Sequence, residues 1–290
     1  MRVLLLSDLH FTTDETPEAL ALRARDATPS LAAGDAFGLT QKEKLARAIA
    51  DMAAECAEKP VDLLLMLGDL SLDDPPYRRL PENYCEACMA ALKTLPCPVY
   101  ALPGNHDSYP PALWQTATGC ARQYVIDTQE ALFVMLDTFA VLPASGASGS
   151  GYSGVDCAYL ASVLPKDPRK PVILCAHGLD PAKESTRFFE ILRTHREIKL
   201  IFRGHTHVHG MLTVEAVPLA DIGGYAYNGM IIDGSYTFSV FDPAWAWGYQ
   251  VLEIENGTLA TYFREIPMTY HAANGVFARP GGIADYMEIK

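Results

Sequence analysis

No apolar run in the 290-residue sequence exceeds six residues, a length that residues 131–136 reach. A bilayer-spanning helix needs about 20, so a helical membrane span is excluded. The opening apolar stretch, residues 3–6, stops at Ser7 and Asp8, short of the ~7–15 residues of a secretory signal. The chain is therefore expected to begin its mature form at Met1. Basic residues are scarce, 23 against 35 acidic ones, for a net charge of −12. Such a surface repels polyphosphate backbones, which points to a small anionic partner and away from nucleic acid or membrane. Cysteines are few, odd in number (seven) and scattered. They read as reduced thiols of a cytoplasmic protein, not as a disulfide framework. Cys85-x-x-Cys88 lies in a helix-like stretch, residues 82–92, without a second pair or a flanking His, and reads as ordinary helix residues.

What is present is an ordered globular composition: 49% hydrophobic with only 20% charged, enough to build a sizeable core. Short β-branched or leucine-rich runs at 3–6, 61–67, 99–102, 132–136, 172–176 and 200–202 suit buried strands. Helical periods separate several of them. Leu45, Ile49, Met52 and Cys56 share one helix face, and the clusters Tyr159, Leu160, Val163, Leu164 and Phe188, Phe189, Ile191, Leu192 mark two more. Beyond residue 208 the pattern turns to strands at 211–217, 230–232, 237–241, 249–255 and 259–266, with Asn256-Gly257 as a hairpin turn. The fold class expected is α/β, two packed sheets flanked by helices, in one domain over residues 1–266. Residues 267–290 form a tail packed on that domain or at an interface. Residues 143–154, with four Gly and four Ser, read as a surface loop, and residues 11–40 as a loop flanking the site.

Each informative motif follows a strand. Asp8-Leu9-His10 follows the first, Gly68-Asp69 the second, Gly104-Asn105-His106-Asp107 the third, and His177-Gly178 and Gly204-His205-Thr206-His207 two later ones. Ligands of α/β sheets bind beyond the carboxyl ends of strands, so these five segments are expected to converge. Asp8 with His10, and His205 with His207, are spaced i, i+2; in extended backbone each pair projects to one side and can grip one ion. Carboxylate, imidazole and amide donors without thiolate favour manganese, iron or zinc. Asp69 stands alone, and its two oxygens make it the natural bridge between two ions. Taken singly the motifs are weak, since Gly-Asp is a common turn and a histidine after a strand is commonly structural. Five in one chain carry the inference.

In this order the motifs resemble those of the calcineurin-like metallophosphoesterase superfamily, over residues 8–207. The resemblance implies a four-layer αββα sandwich with a dinuclear metal centre. It implies that Asp8, His10, Asp69 and His207 hold one divalent ion, that Asp69, Asn105, His177 and His205 hold the other, and that His106 is the catalytic histidine. Leu72 stands where purple acid phosphatases carry a metal-binding Tyr, and Asp73 and Asp107 depart from the protein phosphatase signatures. The retained His106 departs from lipid A precursor hydrolases. The pattern is most similar to the bacterial branch that includes cyclic-nucleotide phosphodiesterases.

The activity expected is hydrolysis of small phosphodiesters, cyclic nucleotides among them, by a hydroxide that two metal ions generate from water, lowering its pKa from about 15.7 toward ~7. His106 is expected to protonate the leaving oxygen as general acid, with Asp107 orienting it. A phosphomonoesterase or nucleotide pyrophosphatase would use the same donors. A nuclease is disfavoured by charge, and a non-catalytic scaffold by the intact donor set. Arg203 and His209 share the parity of His205 and His207; they touch phosphate if the strand stays extended, or meet solvent or an acidic neighbour if it turns. Tyr225, Tyr227, Trp245 and Trp247 either stack on a base or cover the second sheet, and core or surface packing is the role expected.

Overall fold

The computed structural model describes residues 1–11, 41–71, 84–142, 150–165, 170–225, 229–232, 235–238, 248–272 and 275–290. Its strands, in chain order, are β1 (Arg2–Leu6), β2 (Leu63–Leu67), β3 (Val99–Leu102), β4 (Tyr124–Asp127), β5 (Leu132–Leu136), β6 (Val172–Ala176), β7 (Ile198–Arg203), β8 (His209–Val214) and β9 (Val217–Ile222). There follow β10 (Gly229–Ile232), β11 (Ser235–Phe238), β12 (Gly248–Glu255), β13 (Thr258–Glu265), β14 (Met268–Ala272), β15 (Gly275–Arg279) and β16 (Gly282–Ile289). The helices are α1 (Gln41–Glu58), α2 (Tyr84–Leu92), α3 (Pro111–Thr118), α4 (Cys157–Val163) and α5 (Thr186–Thr194). None is long and apolar enough to cross a membrane.

Two mixed six-stranded sheets carry the fold, in the orders β16-β13-β12-β1-β2-β3 and β4-β5-β6-β7-β9-β8. In the first, β1, β2 and β3 are parallel and β12 returns antiparallel on β1; in the second, β5, β6, β7 and β9 are parallel. Strand alternation explains the layers. Val3, Leu5, Leu65 and Leu67 face Phe133, Met135, Cys175 and Phe202 of the other sheet. Leu4, Leu6, Leu64 and Met66 point the opposite way, onto Leu45, Ala48 and Met52 of α1 and Cys85, Cys88 and Met89 of α2. Likewise Val134, Leu136, Leu174 and Ala176 pack on Leu160 of α4 and Phe188, Ile191 and Leu192 of α5. Both faces of each sheet are thereby covered, which is why the central strands read as unbroken apolar runs. The Cys85 and Cys88 thiols are buried helix residues, and no disulfide forms among the described cysteines.

One expected strand is corrected. Residues 211–217 do not form a single strand: β8 ends at Val214 and β9 begins at Val217, with a hairpin turn between them. Glu215 and Ala216 both take positive φ there (50° and 67°). Neither is a residue that signals such a turn, whereas Asn256 and Gly257, also at positive φ, carry the usual signature. The strand expected at 237–241 is seen as β11 up to Phe238; residues 239–247 lie outside the described set, as do Tyr227, Trp245, Trp247, most of the 11–40 loop and residues 143–149. The β10–β11 and β14–β15 pairs form separate two-stranded sheets. The final strand, β16, lies on β13 at the edge of the first sheet.

Candidate metal centre

All five motif segments leave the carboxyl ends of parallel strands, β1, β2 and β3 from one sheet and β6 and β7 from the other, and they meet. Loops after β1 and β2 run side by side, with Asp8 N–H donating to Gly68 O (3.1 Å) and His10 N–H to Asp69 O (3.0 Å). Three groups of donor atoms lie within 4.8 Å of one another: Asp8, His10 and His207; His10, Asp69 and His106; and Asp69, His177 and His205. Asn105 joins the last, its Oδ1 being 3.1 Å from His177 Nε2.

Extended backbone is not what aligns them. Asp8, His10, Asp69, His205 and His207 all have positive φ, between 44° and 66°, a region that Asp, Asn and His tolerate better than most residues. Strand alternation therefore does not pair these residues, and His205 and His207 do not grip one ion together as expected, because their imidazoles go to different donor groups. Flanking glycines make room: a Cβ on Gly104 would collide with Asp69 Oδ1, and one on Gly204 with Ser7 Oγ.

Each carboxylate divides its oxygens between a loop and the cluster. Asp8 Oδ2 accepts the His205 N–H (2.9 Å) and the Ser7 hydroxyl. That leaves Oδ1, which is buried and accepts no hydrogen bond among the described residues, 3.2 Å from His207 Nε2 and 3.6 Å from His10 Nε2. Asp69 Oδ1 accepts the His106 N–H (2.8 Å), leaving Oδ2 at 3.4 Å from His10 Nε2 and 3.1 Å from His177 Nε2.

Burial alone would raise the Asp8 and Asp69 carboxyls, but the imidazoles around them hold both below the usual carboxylate range. Burial pushes His10 down to about 4 and, with the His177 charge, His205 to about 3, so both are neutral and have lone pairs to offer. His177 is the exception: Asp69 and Asp8 outweigh its burial and raise it to about 9. A buried carboxylate oxygen facing the neutral His10 imidazole, with a second carboxylate, Asp69, on the other side of that ring, is chemistry that fits divalent cations.

Asp107 differs from its expected role. Its carboxylate is buried and accepts the backbone N–H groups of Gly104 (2.9 Å), Leu70 (3.2 Å) and Ser71 (3.4 Å), joining the loops after β2 and β3. All three partners are backbone groups, and none is the His106 ring. The half-buried His106 ring stands edge-on to His10, with centroids 4.9 Å apart. Arg203 and His209 meet acidic neighbours. Arg203 pairs with Asp221 (2.7 Å) and donates to Leu179 O, and His209 bonds Asp285 (2.6 Å) while stacking on Phe263. Tyr225 is buried in the core of the first sheet's helical face. Sequence reasoning missed Ser7 and the segment Asp137-Thr138-Phe139. The latter carried the same signal as the motifs, an apolar strand ending in Asp.

The sequence profile described as calcineurin-like phosphoesterase matches residues 1–209. The chain belongs to this family. As a calcineurin-like phosphoesterase it is a metal-dependent hydrolase of phosphoric esters. A Synechococcus sp. protein named as a probable cyclic nucleotide phosphodiesterase is 27% identical over 219 residues, covering 70% of this chain and 71% of that protein. Among solved structures, a dimetal phosphatase from Danio rerio matches with a TM-score of 0.61 at 13% identity, over 91% of this chain and 96% of its own. GAP50, the anchor in the inner membrane complex of Plasmodium, matches at 0.50 and 15%, over 98% and 89%. Both are likenesses of fold.

Proposed function

We propose that this phosphoesterase hydrolyses small phosphodiesters, cyclic nucleotides among them, at a two-metal centre. Asp8, His10, Asp69 and His207 would hold one ion, and Asp69, Asn105, His177 and His205 the other. The observation that carries the reading is Asp69 Oδ2, a single anionic atom between His10 Nε2 and His177 Nε2. The name of the Synechococcus relative supports the diester class.

Bound divalent cations supply Lewis-acid polarisation of phosphoryl oxygens and acidify water. The chain's own residues do the rest. Asp8 and Asp69 set the charge of the cavity in an acidic protein, so that a loaded centre attracts an anionic ester despite the net charge of −12. His106, beside the donors and half-buried, delivers a proton to the leaving oxygen, an effect that typically contributes about 10²–10⁴-fold. Asp107 positions the loop that carries it.

The test is turnover of bis(nitrophenyl) phosphate and nitrophenyl phosphate by the Mn²⁺-supplemented protein, followed by cyclic nucleotides. The diester is expected to turn over faster. A faster monoester replaces the diester reading with that of a phosphomonoesterase, and no turnover of either rejects catalysis on this class.

A further inference from the structure

The loop after β5 has no recognised motif, yet it reaches the centre by three routes. Its first residue, Asp137, forms a bidentate pair with Arg122 (2.7 and 3.2 Å), both side chains being under 10% exposed (7% and 8%). The same guanidinium donates to Tyr109 O (2.7 Å) and Asp107 O (3.3 Å) of the His106 loop, and back to Phe139 O (3.2 Å). Thr138 Oγ1 donates to Gly178 O (2.6 Å), next to His177. The Phe139 ring then packs against His177 and His205, with centroids at 5.5 and 5.3 Å.

A buried ion pair is weak as a stabilising device, because well-packed apolar replacements are often neutral or better. What this one supplies is direction. A rigid fork with five donors fixes two loops relative to each other. Two routes end at ligands of the second donor group, Thr138 next to His177 and Phe139 on the rings of His177 and His205, and the Arg122 fork holds the loop that carries Asn105.

We propose that Asp137-Thr138-Phe139, together with Arg122, is a positioning element for one of the two proposed metal sites, that of Asp69, Asn105, His177 and His205. The inference rests on the two-metal reading above. Outer partners of metal ligands typically change affinity by about 10–100-fold when lost, and here the loss falls on one site.

The experiment is calorimetric titration of Mn²⁺ into the metal-free full-length protein, comparing the native sequence with Thr138→Val, which removes one hydroxyl, and Arg122→Lys, which keeps the charge and loses the fork. His10→Ala and His205→Ala assign the binding steps. Two steps are expected in the native protein. Thr138→Val and Arg122→Lys should weaken only the step that His205→Ala abolishes, by about 10–100-fold, with the His10 step unmoved. If Arg122→Lys does not fold, Thr138→Val alone decides. Equal weakening of both steps, as a general loss of structure would give, overturns the inference; so does weakening of neither. A native protein with fewer than two steps removes the two-metal reading and this inference with it.

Discussion

Asp69 presents one oxygen, Oδ2, to both His10 Nε2 (3.4 Å) and His177 Nε2 (3.1 Å), while its other oxygen accepts the His106 backbone N–H at 2.8 Å. A bridge using both oxygens is what the sequence alone leads one to expect; the structure commits one of them to the neighbouring loop. Asp69→Asn keeps the shape and removes the charge that both donor groups share. Metal analysis of this variant is expected to show both sites depleted, with turnover lowered by more than the ~10–100-fold that loss of an outer partner costs. Retention of one full metal equivalent would argue that the groups do not share Asp69.

Metal uptake through the proposed ligand His177 is expected to depend on pH. In the metal-free protein burial lowers its basicity, but Asp69 and Asp8 outweigh that and raise it to about 9. Its proton is therefore held throughout the neutral range and must leave when a cation binds. Affinity at this site should rise about tenfold per pH unit up to pH 9 and level off above it, one proton being displaced. Titrations at pH 6, 7 and 8 with equal affinities would show that His177 is already neutral.

The proposed mechanism gives His106 the protonation of the leaving group. Against an alkyl ester, whose alkoxide needs a proton, His106→Ala should lower turnover by about 10²–10⁴-fold. A nitrophenyl ester, whose leaving group departs unprotonated, should lose far less. Equal losses on the two substrates would assign His106 to binding instead.

Asp107 acts through backbone. Its oxygens accept three N–H groups from two loops. Asp107→Asn turns one acceptor into a donor facing donors, and leaves buried N–H groups unpaired at about 1–3 kcal/mol. Denaturant midpoints should fall accordingly, while the ratio of alkyl to nitrophenyl ester turnover stays at its native value. A change in that ratio would restore the orienting role expected from sequence.

The central strands were legible because both of their faces are buried, so β1, β2, β5 and β6 stand out as unbroken apolar runs. Their ends pointed to the site for the same reason: an apolar run interrupted by Asp, Gly-Asp or Gly-His marks where the chain leaves the sheet. The β8–β9 hairpin was not legible, since Glu215 and Ala216 adopt positive φ only because pairing on both sides forces the turn. Nor was Asp107's role. Next to His106 in sequence, it invites a pairing, and only the third dimension reveals that the amides of Leu70 and Ser71 claim it instead. Ser7 carries no mark of its own and Phe139 only that of Asp137 two residues before it, because their importance comes from the groups they touch, Asp8 in one case and two imidazoles in the other.

The return of β12 onto β1 bears on how the gene should be cut. The family likeness ends at residue 209, before β9, β12, β13 and β16. A clone trimmed to that boundary would leave Arg2–Leu6 without its antiparallel neighbour and β7 without β9. It would expose raw edges on both halves of the sandwich, a recipe for inclusion bodies. The strands beyond the profile match are scaffolding that the matched part cannot stand without.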